Sequence, residues 1–477
     1  MRVLKFGGTS VADAPAIRRV ATVVTREHLA ARNGAPVIVV SALGGVTDRL
    51  LQAASLARAG DGDQARRLVD ALYARHLELL AALAPGSVSE PARKAVDAQF
   101  THLAALVGAL AVLREASPRS LDAVAAIGEL ASCQIVAAAL TAEGLPAVTV
   151  DPRTLIVTDD SFTAAVPQPE ATRAHVQSRL RPVSTSGRIA VTGGFVGATR
   201  GGVATTLGRG GSDYSAALLG AALDAEEIQI WTDVDGMLTA DPRVVDHARP
   251  VPALSFGEAA ELAYFGAKVL HPKTIQPAAA RNIPVRILNT FRPDAPGTLI
   301  ADHASGEQVV TALACKTGIT VITITSTGML MAHGYMRRLF EVFERHKTAV
   351  DVVSTSEVSV SVTVDDPAHL DGIVSGLSVF ADVSVARDLA LVAVVGDRYG
   401  TDPAAFGRVV AALSGVPLRL VSQADARRNV TLVLDADDLP RAMHQLHAEF
   451  FSAAANAAAD PAVASAEAGR SRTGVSA

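Results

Sequence analysis

Short runs rich in Val, Ile and Leu recur through the first part of the chain, separated by longer stretches with apolar residues at helical spacing. The runs are typical of buried strands, and they occupy residues 3–6, 36–40, 147–150, 188–192, 227–232 and 285–288. Strands that alternate with helices in this way predict an α/β fold, a mostly parallel β-sheet covered by helices.

The helical stretches hold few chemically active side chains. Residues 61–117 predict two helices, interrupted at Pro85 and Gly86, that form a hairpin over one side of the sheet. His76 breaks the leucine spacing there, and we interpret it as an ordinary packing or surface histidine. Residues 120–143 predict another helix, in which Glu129 stands among alanines and aliphatic residues. A buried carboxylate at that position requires a partner; the alternative is an exposed helix face.

From about residue 309 the pattern changes to that of a smaller α+β unit, which occurs twice. Residues 317–386 predict the element order βαββαβ, and residues 387–451 predict the same order without its last strand. We expect the strand 309–314 to complete the second unit, so that the first unit is inserted into it. The Ala-rich residues 452–477 are expected to be disordered.

Composition narrows the class of protein. The 477 residues carry a formal net charge of −5, which supplies no basic field for a nucleic acid. The longest apolar run, residues 103–113, is shorter than a membrane span, and the N-terminus leads into a strand without a signal-peptide core. Cys133 and Cys315 indicate no disulfide framework, and no residues have zinc-ligand spacing. We therefore expect a cytoplasmic protein without nucleic-acid or membrane partners.

Glycine-rich turns at strand ends are the candidate chemistry. In the first, Lys5 ends a strand and is followed by Phe6, Gly7 and Gly8 before a helix begins near Ala14. Such a turn can present backbone N–H groups and a cation to a phosphate, although the GxxxxGK[ST] spacing of a Walker A loop is absent. The alternative is an ordinary turn with a solvated lysine.

Two further turns strengthen this prediction. Ser41 and Thr47 follow the second strand and can offer hydroxyl groups to a ligand, unless Thr47 only caps a helix. Arg209 lies in a glycine-rich segment before a helix 213–223, for which we predict Ser212 as the N-cap. A guanidinium in that setting can bind a carboxylate. Together the turns predict a site for an anionic nucleotide and an acidic co-substrate.

Six segments, in their order and spacing, resemble the aspartokinase family, and most of all its single-activity, lysine-sensitive branch. They are KFGGTSV (5–11), TLGRGGSDYSAALL (206–219), WTDVDG (231–236), DPR (241–243), FGAKVLHP (265–272) and TSEVSV (355–360). The resemblance covers about residues 1–450. It implies an amino acid kinase domain, residues 1–298, followed by two ACT domains. It also implies the reaction ATP + L-aspartate → 4-phospho-L-aspartate + ADP, the first step toward lysine, threonine and methionine.

The resemblance also implies site residues, carried over position by position. The family's nucleotide contacts correspond to Lys5, Phe6, Gly7, Gly8, Thr232, Asp233, Leu238, Arg243, Lys268 and Val269. Its aspartate contacts correspond to Ser41, Thr47, Glu129 and Arg209, and its catalytic residues to Lys5, Arg209 and Asp213. Leu238 departs from the Tyr of related enzymes and cannot donate a hydroxyl. The implied cofactors are ATP and Mg²⁺, with the ion held mainly by the phosphates and no protein metal site.

Regulation is the last implication of the resemblance. The effector contacts of the lysine-sensitive branch correspond to Met329, Tyr335, Val350, Asp351, Thr355, Ser356, Glu357 and Val358. Asp351 and Glu357 could meet the ε-ammonium of lysine; threonine or no inhibitor at all are the alternatives. Paired ACT domains imply a homodimer or homotetramer. Two other functions stay open, a catalytically inactive amino-acid sensor and a different member of the amino acid kinase superfamily.

Overall fold

A computed structural model describes residues 1–266, 270–302, 308–329, 333–365, 368–423 and 428–452. The chain divides into two compact units. The first is formed by Met1–Met237 and Val269–Ala304, and the second by Leu238–Lys268 and Ser305–Ala477. The predicted tail falls almost wholly outside the described residues.

A mostly parallel sheet forms the centre of the first unit, and the strands of both units are numbered together along the chain. In chain order the strands are β1 (Arg2–Phe6), β2 (Val37–Val40), β3 (Ala147–Thr149), β4 (Val157–Thr158), β5 (Ile189–Gly193), β6 (Val196–Thr199), β7 (Ala204–Thr206), β8 (Glu227–Thr232), β9 (Ala253–Leu254), β10 (Val285–Asn289), β11 (Thr298–Ile300), β12 (Ala312–Thr325), β13 (Val353–Thr355), β14 (Ser359–Val364), β15 (Asp382–Val395), β16 (Leu418–Ser422) and β17 (Asn429–Asp435). The first unit's sheet has the order β3-β5-β2-β1-β8-β10-β11, in which β11 is antiparallel. A smaller sheet has the order β4-β6-β7.

Helices cover this sheet, and the helices of both units are numbered together along the chain. In chain order they are α1 (Ala14–Ala30), α2 (Val46–Arg58), α3 (Gly62–Leu83), α4 (Glu90–Leu113), α5 (Pro118–Ala142), α6 (Pro169–Arg179), α7 (Arg181–Thr185), α8 (Gly211–Leu223), α9 (Phe256–Tyr264), α10 (Pro272–Ala279), α11 (Tyr335–Arg345), α12 (Leu370–Leu377), α13 (Ala405–Ala412) and α14 (Leu439–Phe451). The predicted hairpin corresponds to α3 and α4, and α5 packs beneath it with buried side chains on nearly every side. The α/β prediction for this unit is confirmed.

Two helical stretches, Gly86–Leu113 and Pro118–Ala142, are long and apolar enough to cross a membrane by length and composition alone. The sequence prediction rested only on the uninterrupted apolar run 103–113, which is shorter than either stretch. In the second stretch, which is α5, 89% of the most apolar 18-residue segment is buried inside the protein. That burial is typical of the core helix of a globular unit.

One antiparallel sheet organises the second unit. Its strands have the order β13-β14-β12-β15-β17-β16. The long strands β12 and β15 run through both predicted repeats and pair along their length. Ala312, Leu313 and Ala314 pair with Val395, Val394 and Ala393, which lie in the first strand of the second predicted repeat. Separate apolar cores lie under the two halves of the sheet.

Residues 238–268 pack within the second compact unit. The catalytic domain over 1–298 stays a prediction. The Glu258 carboxylate, fully buried in α9, accepts hydrogen bonds from the Thr311 hydroxyl at 2.6 Å and the Asp397 N–H at 2.9 Å. The N–H of Leu313 donates to the Thr239 carbonyl at 2.8 Å. These partners are far apart in sequence, so local patterns do not reveal the boundary.

Candidate active site

The carboxyl ends of the first unit's parallel strands open onto one cavity of about 550 Å³. Strands β1, β2 and β5 end there, as expected for ligand sites of open α/β sheets. The side chains and glycines that form the wall come from the loops after these strands, from α5 and from the start of α8. They are Lys5, Gly8, Ser41, Ala42, Leu43, Gly44, Gly45, Thr47, Asp48, Glu129, Phe195, Gly208, Arg209, Gly210, Gly211, Ser212 and Asp213.

Lys5 is the cation at the base of this cavity. It precedes the last residue of β1, and only 8% of it is exposed. Its Nζ lies 2.6 Å from Oδ1 of Asp213, in the first turn of α8. The ion pair compensates for the burial of both charges. An arriving phosphate would compete with Asp213 for the lysine.

Glu129 is buried because the glycine before it lets α5 approach the loop after β2. A Cβ on Gly128 would lie 2.8 Å from the Ala42 Cβ. The carboxyl is only 3% exposed, and its Oε2 has no hydrogen-bond partner among the described residues. Burial raises the pKa of Glu129 to about 8, against the opposing effect of a backbone hydrogen bond with Ala42. The alternative of an exposed helix face is therefore wrong, and the cavity wall contains a buried carboxyl group with one oxygen unpaired within the described part of the chain.

Arg209 is held by two glycines in the left-handed conformation, Gly208 with φ +74° and Gly210 with φ +71°. Other residues adopt this backbone only with strain. Gly210 is the N-cap of α8, so the prediction of Ser212 as N-cap is wrong. Ser212 lies inside the first turn, where a Cβ on Gly194 would approach its Cβ to 2.7 Å. The exposed guanidinium lines the cavity close to the positive end of the helix dipole.

The loop after β2 carries Ser41 and Thr47 to the cavity. The Ser41 N–H donates to the Phe6 carbonyl at 3.1 Å, which ties the loop to β1. Gly45, with φ +76°, is the N-cap of α2. Thr47 is in the first turn of α2, so the interpretation of Thr47 as a helix cap is wrong.

The predicted nucleotide contacts are distributed unevenly. Lys5 and Gly8 line the cavity, but the ring of Phe6 is fully buried and stacks on Trp231 with centroids 6.0 Å apart. The Gly7 N–H donates to the Trp231 carbonyl at 3.1 Å. That bond places Gly7 beside the end of β8, from which Thr232 and Asp233 emerge.

Of the four other predicted nucleotide contacts, two belong to the second unit and two fall outside the described residues. Leu238 and Arg243 belong to the second unit, where Leu238 forms a β-bridge with Pro250. Arg243 pairs with Asp241 at 2.5 Å. Lys268 and Val269 lie outside the described residues.

Comparison with known proteins supplies the family. The model of the amino acid kinase family matches residues 1–289, and an ACT domain model matches residues 392–450. Aspartokinase 3, chloroplastic, from Arabidopsis thaliana is 36% identical over 94% of this chain and 81% of the relative. Lysine-sensitive aspartokinase 3 from Escherichia coli is 33% identical over 94% of this chain and 99% of the relative. The chain belongs to the aspartokinase family.

Solved structures agree with this aspartokinase assignment. Aspartokinase III of E. coli in complex with aspartate and ADP, in its R-state, is 33% identical in sequence. It superposes with a TM-score of 0.81, covering 95% of this chain and all of that one. The same enzyme in complex with lysine and aspartate, in its T-state, gives a TM-score of 0.77 with the same coverage. The recognition of the family from six short motifs is confirmed.

The positions predicted to bind an effector lie in the first repeat of the second unit. Asp351 accepts a hydrogen bond of 2.6 Å from the Tyr264 hydroxyl, a residue at the end of α9. Tyr335 packs edge-on against Phe380, with centroids 5.6 Å apart. The remaining predicted positions are Met329 in a 3₁₀ turn, the partly buried Val350, Thr355 at the end of β13, and the exposed Ser356, Glu357 and Val358.

Several wall residues escaped the sequence prediction. Phe195, with φ +62°, follows β5 and lines the cavity. The Gly193-Gly194 pair before it was the available signal, because paired glycines mark close backbone approach. Gly44 and Gly45 belong to the turn that contains the predicted Ser41 and Thr47. They contribute main-chain atoms, for which side-chain patterns give little indication.

Proposed function

We propose that this protein transfers the γ-phosphoryl group of ATP to the β-carboxylate of L-aspartate. The observation that carries the proposal is that Lys5, Glu129 and Arg209 line one cavity at the carboxyl ends of parallel strands. The two cations are complementary to the carboxylates of an acidic amino acid and to the phosphate it must approach, and the acid is complementary to the amino acid's ammonium. The family comparisons support the same reaction.

Each group of the substrate has a proposed partner. Arg209 binds the α-carboxylate, since a guanidinium can donate two parallel hydrogen bonds to it. Glu129 binds the α-ammonium and thereby gains the missing partner of its Oε2. Ser41 and Thr47 offer hydroxyl groups from the loop after β2. This arrangement leaves the β-carboxylate free to react.

The chemistry needs no protein base, because the β-carboxylate is already ionised at neutral pH. One of its oxygens forms a bond to the γ-phosphorus while the bond to the β–γ bridging oxygen breaks and ADP leaves. The obstacle is the repulsion between two anions. Lys5 and the backbone N–H groups at the start of α8 would stabilise the negative charge on the phosphoryl group in transit. Asp213 holds the Lys5 ammonium in place beforehand.

The nucleotide and its ion complete the proposal. Gly7, Gly8, Thr232 and Asp233 emerge from the adjacent parallel strands β1 and β8, which supports a nucleotide across these strand ends. The described residues contain no group of three or more His, Cys, Asp or Glu that could hold a metal. Mg²⁺ would therefore be bound mainly through the ATP phosphates, whose charge it neutralises. Phe6, Leu238, Arg243, Lys268 and Val269 remain predicted nucleotide contacts.

Regulation, assembly and location are finer proposals. The ACT match supports an amino-acid effector, and the E. coli relative was crystallised with lysine, so lysine is the first effector to test. We also propose a cytoplasmic homodimer or homotetramer that serves lysine, threonine and methionine biosynthesis. Titration of activity with lysine and with threonine, at subsaturating aspartate, tests the effector. An effector that leaves aspartate affinity unchanged would contradict coupling between two sites.

One assay tests the reaction itself. Aspartate-dependent ADP release, with the acyl phosphate trapped by hydroxylamine as the hydroxamate, should be observed for the full-length chain. L-Glutamate and N-acetyl-L-aspartate serve as controls, because the second lacks the ammonium that Glu129 is proposed to bind. Turnover of glutamate in preference to aspartate would contradict the substrate assignment. Equal turnover of N-acetyl-aspartate would contradict the role of Glu129.

A further inference from the structure

A second buried carboxylate lies on the same helix as Glu129, outside the cavity. Asp122 precedes Glu129 by two helical turns on α5 and is 1% exposed. It lines no part of the cavity and corresponds to no predicted substrate contact. A buried acid that the proposed reaction does not use requires another explanation.

Asp122 binds three donors from two separate segments. The Thr206 hydroxyl donates to Oδ1 at 2.6 Å, and the Thr206 N–H donates to Oδ2 at 3.0 Å. The Thr163 N–H lies 3.1 Å from Oδ1 and 3.0 Å from Oδ2. Only an acceptor fits here, and a carboxylate is the side chain that offers acceptors alone.

Both segments contact or continue into the turn that contains Arg209. Thr206 ends β7 and is followed by Leu207 and then by Gly208. Thr163 has φ +72°, an unfavourable backbone for a β-branched residue, and its carbonyl oxygen would lie 3.3 Å from a Cβ on Gly208. The Ala165 N–H donates to the Thr206 carbonyl at 2.9 Å, which joins the two segments directly. The carboxylate thus holds both the strand end that leads into the arginine's turn and the segment that packs against Gly208.

We propose that Asp122 is a positioning residue. It fixes the Gly208–Gly210 turn so that Arg209 faces a substrate bound at Glu129, the other buried acid of α5. This inference rests on the proposed function, since it assigns Arg209 to the α-carboxylate of aspartate. The two acids on α5 then have complementary tasks. One contacts the substrate ammonium, and the other orders the loop that contacts the substrate carboxylate.

The test is a double-mutant cycle between Asp122→Asn and Arg209→Ala. Asparagine keeps the shape but turns an amide donor toward a backbone N–H. We expect the aspartate KM of Asp122→Asn to rise about tenfold while kcat stays within about twofold, because binding is lost equally in ground and transition states. The ATP KM should not change. In the Arg209→Ala background, Asp122→Asn should change kcat/KM for aspartate by less than about twofold, since the two residues act as one unit.

Controls separate positioning from general destabilisation. Glu27→Gln alters another buried carboxylate of the first unit, which accepts from Arg2 and Gln229 and lies outside the cavity. It should leave the aspartate KM unchanged. If Asp122→Asn does not fold, Thr206→Val removes only the 2.6 Å hydroxyl bond and should raise the aspartate KM about threefold.

The outcomes are distinguishable. An unchanged aspartate KM in the Asp122 and Thr206 variants, or an effect that is fully additive with Arg209→Ala, would overturn the positioning role and leave the proposed reaction intact. Absence of aspartate turnover in the unmutated protein would overturn the reaction, and the positioning role with it. Hydrogen exchange gives a readout independent of activity, because the Thr163 and Thr206 amides should lose protection in Asp122→Asn.

Discussion

Aspartate affinity should depend on pH through Glu129. Its pKa is raised from 4.5 to about 8 by burial, so the free site holds this carboxyl mainly protonated at neutral pH. In the proposed site, the substrate ammonium binds the ionised form of Glu129. Aspartate binding must therefore expel a proton, and the free-energy cost of this step falls as the pH rises toward the pKa.

The magnitude follows from the protonated fraction. Binding is weakened by a factor of 1 + 10^(pKa − pH), which is about 33 at pH 6.5 and about 1.3 at pH 8.5. The aspartate KM should therefore fall about 25-fold across this range, equivalent to about 2 kcal/mol. At pH 7, aspartate binding should release about 0.9 proton per site.

Two measurements check this prediction. Steady-state kinetics between pH 6.5 and 8.5 give the KM slope, and calorimetry in buffers of different ionisation enthalpy gives the proton release. Glu129→Gln should show a higher aspartate KM without this pH dependence, whereas Glu27→Gln should keep the pH dependence of the unmutated protein. A flat KM profile in the unmutated protein, or the same slope in Glu129→Gln, would refute the reasoning.

Three further predictions concern single residues. Lys5→Ala should lower kcat by roughly 10²–10³, the scale for losing one donor to the transition state, and a variant within about threefold of the unmutated rate would remove Lys5 from that role. Arg209→Ala should mainly raise the aspartate KM in steady-state assays; an unchanged KM would contradict the carboxylate contact. His76 is fully buried and its pKa is lowered from 6.5 to about 4 by burial, so stability should be lost as the pH falls from 6.5 through 4, by up to about 3 kcal/mol. Denaturant titrations should show less of this acid loss in His76→Leu, and an identical pH profile would contradict it.

Local patterns predicted much of the fold. The Pro85-Gly86 break separates α3 from α4, and the run 37–40 forms a strand buried along its whole length. Such features depend on a residue's immediate neighbours, so they can be seen in one dimension. Helix starts were less reliable, because Gly45 and Gly210 cap α2 and α8 with backbone conformation instead of a side chain.

The environment of each site residue required the folded chain. The residues around Glu129 in the sequence are compatible with both an exposed and a buried carboxyl. The close approach of Ala42 to Gly128 in the folded chain buries it. In the same way, nothing near Asp122 indicates that Thr163 and Thr206 donate to it, 41 and 84 residues away.

The sequence by itself determined the alternation of strands and helices, the glycine turns at the strand ends and the family that these motifs indicate. The tertiary structure alone decided which carboxyls are buried, which donors they meet and that residues 238–268 belong with the C-terminal unit. The reason is physical: backbone preferences are set by neighbours along the chain, whereas burial and hydrogen-bond partners are set by contacts between residues distant in sequence.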